Sequence, residues 1–315
     1  MKPVSVIILS YRNLDGVAET AGSVFLQDYP EIELIVSDDG SPDYAEKQPM
    51  LAALLETRRG PNIRQIVWIS HPENVGTVKN CNDAVRTAHG EFLMTIASED
   101  VLAGPQTLSH LVGVLEETGG DLVFGRLRGE RTDGTYVDYL PSCESDYDLL
   151  KSYTVEQTRN RLFSRNFLPA PCAMKRQRLY EENGLHPESI RLIEDYPYWL
   201  TLTKNGVRFY YLDEVAVIYR LTGSGSGYYG EAFMEDMYRI YEQFIFPYDR
   251  RYGALQGLYN QLKRWGLDYY MARARWPKMN TGQRAVVRIR YLPFFVYTGL
   301  LDRRTARKNK KGTKA

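Results

Sequence analysis

The chain has 315 residues, of which 43% are hydrophobic and 25% charged, and its formal net charge is +1 at pH 7. This composition is typical of a globular protein and excludes a disordered or fibrous chain. The small net charge says little about partners. Cys81, Cys143 and Cys172 form no CxxC pair and no zinc-ligand spacing. We therefore expect buried or incidental thiols in a reducing compartment.

The N-terminal segment has an apolar run that is too short for the core of a signal peptide, and no small-residue cleavage site follows it. No stretch of the sequence approaches the about 20 apolar residues that a transmembrane helix needs. From these features we expect a cytoplasmic protein.

The first hundred residues alternate between strand and helix patterns. Short apolar runs rich in β-branched residues are typical of buried parallel strands, and segments with helical spacing separate them. The predicted strands are 4–9, 32–36, 63–69 and 92–96, and the predicted helices are 15–27, 44–56 and 75–88. This alternation predicts an α/β fold with an open, mostly parallel sheet and right-handed crossovers.

The pattern becomes more mixed after residue 120. Further predicted strands are 122–124, 136–139, 172–175, 207–212 and 215–219, and a helix is predicted from Glu194 to Asn205 and Gly206. A loop rich in glycine and serine follows at 222–227. From about Glu231 onward the sequence predicts helices and becomes increasingly basic. We therefore expect one domain at 1–228 and a basic helical region with a tail at 229–315.

Two acidic loops directly follow predicted strands. Asp38 and Asp39 follow the second strand, and Glu99 and Asp100 follow the fourth. Because ligands bind at the carboxyl ends of parallel strands, we expect the two loops to converge on one edge of the sheet. Adjacent carboxylates suit Mg²⁺ or Mn²⁺, which take further oxygens from water and phosphates. An ordinary solvated turn stays open as the alternative at each loop.

A third acidic pair, Glu194 and Asp195, stands at a predicted helix N-terminus, where the helix dipole favours carboxylates. Its functional interpretation is a general base, since a hydroxyl becomes an effective nucleophile as a carboxylate takes its proton. The four histidines show no triad or metal spacing. No Walker-type loop is present and no GxGxxG turn follows the first strand, which argues against P-loop and Rossmann dehydrogenase folds.

Several segments resemble, in the same order, the motifs of the family 2 glycosyltransferases with the GT-A fold. These segments are VSVIILSYRN at 4–13, SVFLQDYP at 23–30, ELIVSDDGS at 33–41, and the shorter matches at 74–76, 79–80 and 88–92. The resemblance spans roughly residues 3–226. It implies a GT-A-type sheet flanked by helices, a nucleotide-sugar half at about 1–120, an acceptor half at about 121–228 and a C-terminal helical extension.

The resemblance also implies a role for individual residues. Tyr11 would stack on the base, and Asp39 would hydrogen-bond to it. Asp195 would be the catalytic base, with Glu194 contacting the acceptor, and Asp100 would bind Mn²⁺ or Mg²⁺. The full implied nucleotide-binding set is Leu9, Ser10, Tyr11, Asp39, Lys79 and Glu99.

The implied reaction moves a sugar from a nucleotide-sugar, a UDP-sugar, to a saccharide or lipid-linked saccharide. It is a single displacement with inversion, as in the synthesis of bacterial surface polysaccharides. Two positions depart from the family pattern: Ala97 stands at the usual first acidic position of the metal motif, and no histidine follows Tyr219 and Arg220. A non-catalytic sugar-nucleotide-binding or scaffold protein therefore stays open. A nucleotidyltransferase is a further alternative, although the loop after the first strand lacks its glycine-rich basic sequence.

The C-terminal region is strongly basic. From Arg273 onward, Asp302 is the only acidic residue, and basic residues flank an apolar and aromatic segment at 291–301. This arrangement suits the surface of an anionic membrane and would place the chain at the inner face of the cell membrane, beside a lipid-linked acceptor. A helix packed on the catalytic domain with a solvated tail, or a pairing of subunits, stays open. No recognition motif supports a nucleic-acid partner.

Overall fold

The structure is a computed structural model that describes residues 2–138, 146, 150–221 and 230–292. The chain divides into two compact units, Met1–Ser226 and Gly227–Ala315. The first unit opens with alternating strands and helices: β1 (Val4–Ser10), α1 (Leu14–Phe25), β2 (Ile32–Asp38), α2 (Tyr44–Arg58), β3 (Ile63–Ser70), α3 (Thr77–Thr87) and β4 (Phe92–Ala97). Each predicted element of this stretch is confirmed, with bounds that differ by one or two residues.

The rest of the first unit extends the same sheet. Its elements are β5 (Val101–Leu102), α4 (Thr107–Thr118), β6 (Leu122–Arg131), β7 (Tyr136–Asp138), α5 (Val155–Leu162), β8 (Ala173–Arg176), α6 (Gln177–Asn183), α7 (Asp195–Lys204) and β9 (Tyr210–Leu221). The strands of the described residues form one sheet in the order β3-β2-β1-β4-β8-β6-β9-β5, and β7 pairs with β6. The pairs β1–β2, β2–β3, β1–β4 and β6–β9 are parallel, while β8 runs antiparallel to β4 and β6.

The central strands are buried on both faces. Val4, Val6 and Ile8 of β1 belong to the main hydrophobic cluster, together with Val17 and Val24 of α1. The intervening positions of β1 are also buried, and α3 contacts this part of the sheet. Since helices cover both faces, the strands are apolar runs without polar alternation. The predicted α/β class, a sheet flanked by helices, is confirmed.

The prediction of two strands at 207–212 and 215–219 is wrong, because β9 is one continuous strand. The acidic residues Asp213 and Glu214, which separate the two predicted strands, lie in an irregularity of the β6–β9 register. Phe124 pairs with Tyr211 and Arg126 with Val215, so three residues of β9 lie opposite the single residue Gly125. A Cβ at Gly125 would lie 2.5 Å from the Ala216 Cβ. The bulge therefore absorbs the polar residues without breaking the strand.

The second unit is helical where the structure describes it. Its helices are α8 (Glu231–Ile240), α9 (Gln256–Ala274) and α10 (Thr281–Arg290), and a π-helical turn follows α8. The predicted helical extension is thereby confirmed for these residues. None of the described helices combines the length and the apolarity that crossing a membrane requires. The predicted loop at 222–227, the apolar segment beyond residue 292, the tail and Cys143 lie outside the described residues.

Candidate active site

The carboxyl ends of β1, β2 and β4 bring the two acidic loops together. In the register of β1 with its neighbours, Ser10 lies opposite Asp38 and Leu9 opposite Ala97. Backbone hydrogen bonds continue beyond the strands. The Asp39 N–H donates to the Ser10 carbonyl at 2.8 Å, and the N–H of the residue after Ala97 donates to the Leu9 carbonyl at 2.9 Å. The predicted convergence of the loops on one sheet edge is confirmed.

A cavity of about 200 Å³ lies at this edge. Its lining includes four of the predicted nucleotide-binding residues and one of the predicted catalytic residues. These are Leu9, Ser10, Tyr11, Asp39 and Glu194, and the other lining residues are Thr77, Asn80, Thr95, Ile96, Ala97, Ala170 and Pro171. The end of β1, the end of β2 and the residue before α7 thus border one space.

Tyr11 and Ser10 offer two kinds of contact to a ligand of this cavity. The Tyr11 side chain is 41% exposed, and an exposed aromatic ring can stack on a planar base. The Arg12 guanidinium lies 5.2 Å from the centroid of that ring. The Ser10 hydroxyl is buried and has no hydrogen-bond partner among the residues that the structure describes.

Asp39 fixes the loop that leads into α3. Its carboxylate accepts hydrogen bonds from the Asn74 side-chain amide at 2.8 Å, the Val75 N–H at 2.7 Å and the Gly76 N–H at 3.0 Å. Burial raises the pKa of Asp39, and the two backbone donors oppose this shift. The residue is therefore held rigidly by the protein at the rim of the cavity, and a base would approach an already oriented carboxylate.

Asp100 is a buried carboxylate with one unsatisfied oxygen. Its Oδ1 accepts a hydrogen bond from the Arg220 N–H at 3.3 Å, whereas Oδ2 has no partner within the described part of the chain. Burial, and then the neighbouring Glu99 carboxylate, raise the pKa of Asp100 to about 7. A buried oxygen without a donor is poorly satisfied, and a cation would satisfy it.

A divalent cation at Asp100 would need most of its ligands from elsewhere. Among the described residues, no group of three or more His, Cys, Asp or Glu side chains is arranged to hold a metal ion. Mg²⁺ and similar hard cations are commonly bound by one or two carboxylates together with water and substrate phosphates. The orphaned oxygen of Asp100 fits such a site, and Ala97 contributes no ligand to it.

The loop that carries Glu99 packs closely against α1. Glu99 has a φ of 82°, which lies in the left-handed region that L-residues rarely adopt. A Cβ at Gly16 of α1 would lie 2.5 Å from the Glu99 Cγ and 2.9 Å from its backbone nitrogen. Glycine at position 16 therefore allows the acidic loop to approach the helix.

Lys79 is not brought to the cavity. It lies on α3, where its Nζ pairs with Asp83 Oδ2 at 2.9 Å, and its side chain is about half exposed. Lys79 does not appear in the cavity lining. Its assignment to the nucleotide stays a prediction.

Glu194 and Asp195 lie side by side at the start of α7. Asp195 accepts hydrogen bonds from the Asn166 amide at 2.8 Å and from the Tyr196 N–H at 2.6 Å. Burial raises the pKa of both residues, and for Glu194 the adjacent Asp195 raises it further, to about 8. Two close carboxylates do not ionise independently. The two donors to Asp195 favour the ionised form of Asp195 over that of Glu194.

The segment before α7 is fastened to α3. Asn82 of α3 donates to the His186 carbonyl at 2.9 Å and accepts the His186 N–H at 3.0 Å. Arg191 donates to the Asn74 side-chain oxygen at 2.7 Å. Burial lowers the pKa of His186 to about 3, so its neutral ring donates from Nδ1 to the Glu194 carbonyl at 2.9 Å. Helix α3 and the loop before it thus hold both the Asp39 side and the Glu194 side of the cavity.

Three residues that position the site, Asn74, Asn166 and Gly16, could not be assigned this role from the sequence. Asn74 lies within a quoted motif, but nothing in the sequence pairs its side chain with Asp39. Asn166 is 29 residues from its partner Asp195 and carries no local signal. Gly16 is conspicuous in the sequence as a glycine inside a predicted helix. Gly22 of the same helix is equally conspicuous but has nothing within 4 Å of its Cβ position, so the sequence does not distinguish the two.

The sheet order and the acidic edge define a GT-A-type fold, and comparisons with known proteins agree. The sequence model of glycosyl transferase family 2 matches residues 5–184, which is more than half of the chain. The chain belongs to this family. It is 27% identical over 219 residues to the uncharacterized glycosyltransferase EpsJ of Bacillus subtilis, which covers 69% of this chain and 60% of that protein. It spans about a third of the length of further glycosyltransferase relatives.

Solved structures share the fold at low sequence identity. TarS 1–349 of S. aureus in complex with UDP-GlcNAc aligns with a TM-score of 0.56 and 19% identity, over 86% of this chain and 81% of that one. The mannosyltransferase PcManGT of Pyrobaculum calidifontis, in complex with GDP-Man and Mn²⁺, aligns with a TM-score of 0.59 and 17% identity. The alignment covers 95% of this chain and 83% of that one. At these identities the likeness establishes the fold, and the predicted GT-A architecture is confirmed.

Substitution of Gly16 by alanine tests the close contact of α1 with the acidic loop. Because the new Cβ would overlap Glu99, we expect Gly16→Ala to lower the free energy of unfolding by about 1–3 kcal/mol. Gly22→Ala is the matched control. It meets no atom within 4 Å and should raise the free energy of unfolding by about 0.5–1 kcal/mol through helix propensity. Urea unfolding measures both, and equal stabilisation by the two substitutions would contradict the contact.

Proposed function

We propose that this protein transfers a sugar from a UDP-sugar to a hydroxyl group of a glycan or a lipid-linked saccharide, with inversion at the anomeric carbon. One observation carries the proposal. The exposed ring of Tyr11, the fixed carboxylate of Asp39 and Glu194, the residue next to Asp195, border a single cavity. A nucleotide and a reacting hydroxyl both need to be held in such a space.

The donor is assigned from the nucleotide side of the cavity. Tyr11 stacks on the base, and Asp39 accepts a hydrogen bond from a base N–H, which suits uracil. The complex of TarS with UDP-GlcNAc supports this class of donor, whereas the complex of PcManGT with GDP-Man makes a guanine nucleotide the main alternative. Leu9 and Ser10 contribute the floor of the base site, and Glu99 lies toward the ribose or the sugar.

Asp100 is the residue that would hold Mn²⁺ or Mg²⁺ on the diphosphate. Its unsatisfied Oδ2 supports this role. A cation bound there would supply Lewis-acid stabilisation of the charge that develops on the departing nucleoside diphosphate. The fold relative PcManGT was solved with Mn²⁺.

Asp195 is the proposed general base. Its carboxylate takes the proton of the acceptor hydroxyl as that oxygen attacks the anomeric carbon. The bond from the anomeric carbon to the diphosphate oxygen breaks on the opposite face, and its electron pair leaves with the nucleoside diphosphate. The configuration therefore inverts. The Asn166 amide orients the base, and protonated Glu194 can donate a hydrogen bond to the acceptor.

Nucleotide binding tests the donor class and the cation together. We expect UDP to raise the unfolding temperature, more strongly with Mn²⁺, because ligand bound to the native state adds about 2.7 kcal/mol of stability at a concentration 100 times its Kd. Asp39→Ala should reduce the shift with UDP alone, and Asp100→Ala should remove the increment due to Mn²⁺. Asp133→Ala, at the turn between β6 and β7, is the control and should behave as wild type.

The alternative outcomes of that experiment separate the candidate functions. A larger shift with GDP than with UDP would keep the fold and replace the donor. Binding of UDP without release of nucleotide or transfer of sugar would support a non-catalytic binding or scaffold protein. The absence of a shift with any nucleoside diphosphate would contradict the proposed donor site.

Removal of the base tests the chemical step. We expect Asp195→Asn to lower kcat about 10²–10⁴-fold, since an amide cannot accept the proton, while the affinity for UDP stays within about twofold. Asp213→Asn on the bulge of β9 is the matched control. Sugar transfer is measured as the release of UDP. Near-wild-type turnover of a folded Asp195→Asn variant would rule out this assignment.

The helical unit supports a second element of the proposal, binding to the surface of an anionic membrane. Helix α10 has no buried residue, and its apolar side chains Val286 and Ile289 are 64% and 73% exposed. Arg284, Arg288 and Arg290 lie on the same helix, which has no acidic residue. An amphipathic basic helix of this kind can lie in the interface of a bilayer. Such binding would bring the enzyme to a lipid-linked acceptor at the inner face of the cell membrane.

Vesicle flotation tests this second element. We expect co-flotation with vesicles that contain about 30% anionic phospholipid, weak binding to neutral vesicles and loss of binding as salt increases. Replacement of both Val286 and Ile289 by serine should reduce binding about tenfold or more. Leu258→Ser, which removes an exposed leucine of α9, is the control. Equal binding of the variant and the control would contradict a role for α10.

A further inference from the structure

Lys175 is a lysine in the interior of the first unit. It lies on β8 opposite Leu93 of β4 and Leu122 of β6, so hydrogen-bonded strands flank it on both sides. Its neighbours Cys172 and Met174 belong to the hydrophobic cluster. The residue is only 2% exposed, and it is among the largest fully buried side chains.

The ammonium group of Lys175 has no close ion pair to balance its burial. No carboxylate of the described residues lies within 4.0 Å of Nζ, the limit for a direct salt bridge. Nζ lies 5.6 Å from the centroid of the Trp199 ring, at cation–π distance. Removing an ammonium group from water is costly without a compensating charge. We therefore expect a negatively charged group at a distance somewhat greater than 4 Å to stabilise this ammonium group.

The titratable groups that interact electrostatically with Lys175 identify that partner. They are the thiol of Cys81 from α3, the imidazole of His186 from the segment before α7, and the carboxyl groups of Glu194 and Asp195. Burial raises the pKa of Cys81 to about 12, and His186 is neutral. The carboxyl pair is thus the one source of negative charge among these groups at neutral pH.

The position of Trp199 places the lysine beneath this pair. Trp199 follows Asp195 by four residues on α7, and residues with this spacing lie on one face of a helix. Lys175 Nζ lies at cation–π distance from the Trp199 ring, so the ammonium group lies near the face of α7 that carries Asp195. Lys175 is 2% exposed and lies between two hydrogen-bonded strands, so a substrate does not reach it. We therefore take it to act on the carboxyl groups.

We propose that Lys175 is a positioning residue whose buried ammonium group keeps Asp195 ionised next to Glu194, so that the base is ready to take a proton at neutral pH. This inference rests on the proposed function of Asp195. The lysine lowers the pKa of both carboxyl groups, against the burial that raises them. The carboxyl groups in turn oppose the effect of burial on the lysine, which is to lower its pKa.

Lys175→Met tests the inference, because methionine keeps the length of the side chain and its packing on Trp199. Loss of the positive charge raises the pKa of the carboxyl pair, so the acidic limb of the pH profile of kcat/KM should move to higher pH by about one unit. At pH values on the acidic side of the profile, kcat/KM of the variant should be about tenfold lower than that of wild type. At high pH it should approach the wild-type plateau. The affinity for UDP should stay within about twofold.

Lys47→Met is the matched control, since Lys47 pairs with Asp15 and Asp43 on the surface away from the cavity. It should leave the pH profile unchanged. A folded Lys175→Met variant whose acidic limb coincides with that of wild type would overturn the inference. Absence of transfer by the wild-type protein at every pH would instead contradict the proposed function, so the two failures are distinct.

A folding defect of Lys175→Met is resolved with a second variant. Glu194→Gln added to Lys175→Met removes one of the carboxyl groups whose charge would be left unbalanced. Recovery of folding in the double variant supports the electrostatic role. Failure of both variants to fold would assign Lys175 to packing and overturn the inference. Far-UV circular dichroism and thermal unfolding distinguish these outcomes.

Discussion

The parallel pairing of β1 with β2 on one side and β4 on the other is the constraint on which the site depends. Parallel strands in register end at the same edge of a sheet, so the residues that follow them meet without any further contact. The Ser10–Asp38 and Leu9–Ala97 pairs set this edge. Tyr11, the two acidic loops and the cavity between them are consequences of that register. A slip of one residue in β1 would turn each of its side chains to the opposite face of the sheet.

Strands β1, β2 and β4 could be predicted from the sequence because burial on both faces makes them nearly continuous apolar runs. The edge strand β3 is buried only at Ile63, and its β-branched residues predicted it. The bounds of β9 could not be predicted, because Asp213 and Glu214 are typical of a turn, and only the pairing with β6 makes them part of a bulge. Helices α5 and α6 are eight and seven residues long and have few buried side chains. Their stability comes from tertiary contacts, which a local pattern does not contain.

Some features of the candidate site could likewise be predicted from the sequence, and others could not. The position of Asp39 and Asp100 directly after strands could be predicted, because the order of elements along the chain dictates it. The hydrogen bond from Asn166 to Asp195 and the placement of Lys175 beneath α7 could not, because each joins segments separated in the chain. In the sequence Lys175 is a charged residue at the end of an apolar strand, and many strands end in this way with an exposed charge. Only the burial of Lys175 in the structure distinguishes it from those residues.

The fastening of the 184–194 segment to α3 has a consequence for how proteins of this architecture can diversify. Asn82 holds His186 at two points, and Arg191 is tied to Asn74, which also holds Asp39. A segment exchanged between relatives without its own α3 would lose these bonds, and both sides of the cavity would shift together. The two stretches therefore form one structural unit, although about a hundred residues separate them in the chain. Substitutions in parts of the first unit that make no contact with α3 leave these bonds intact.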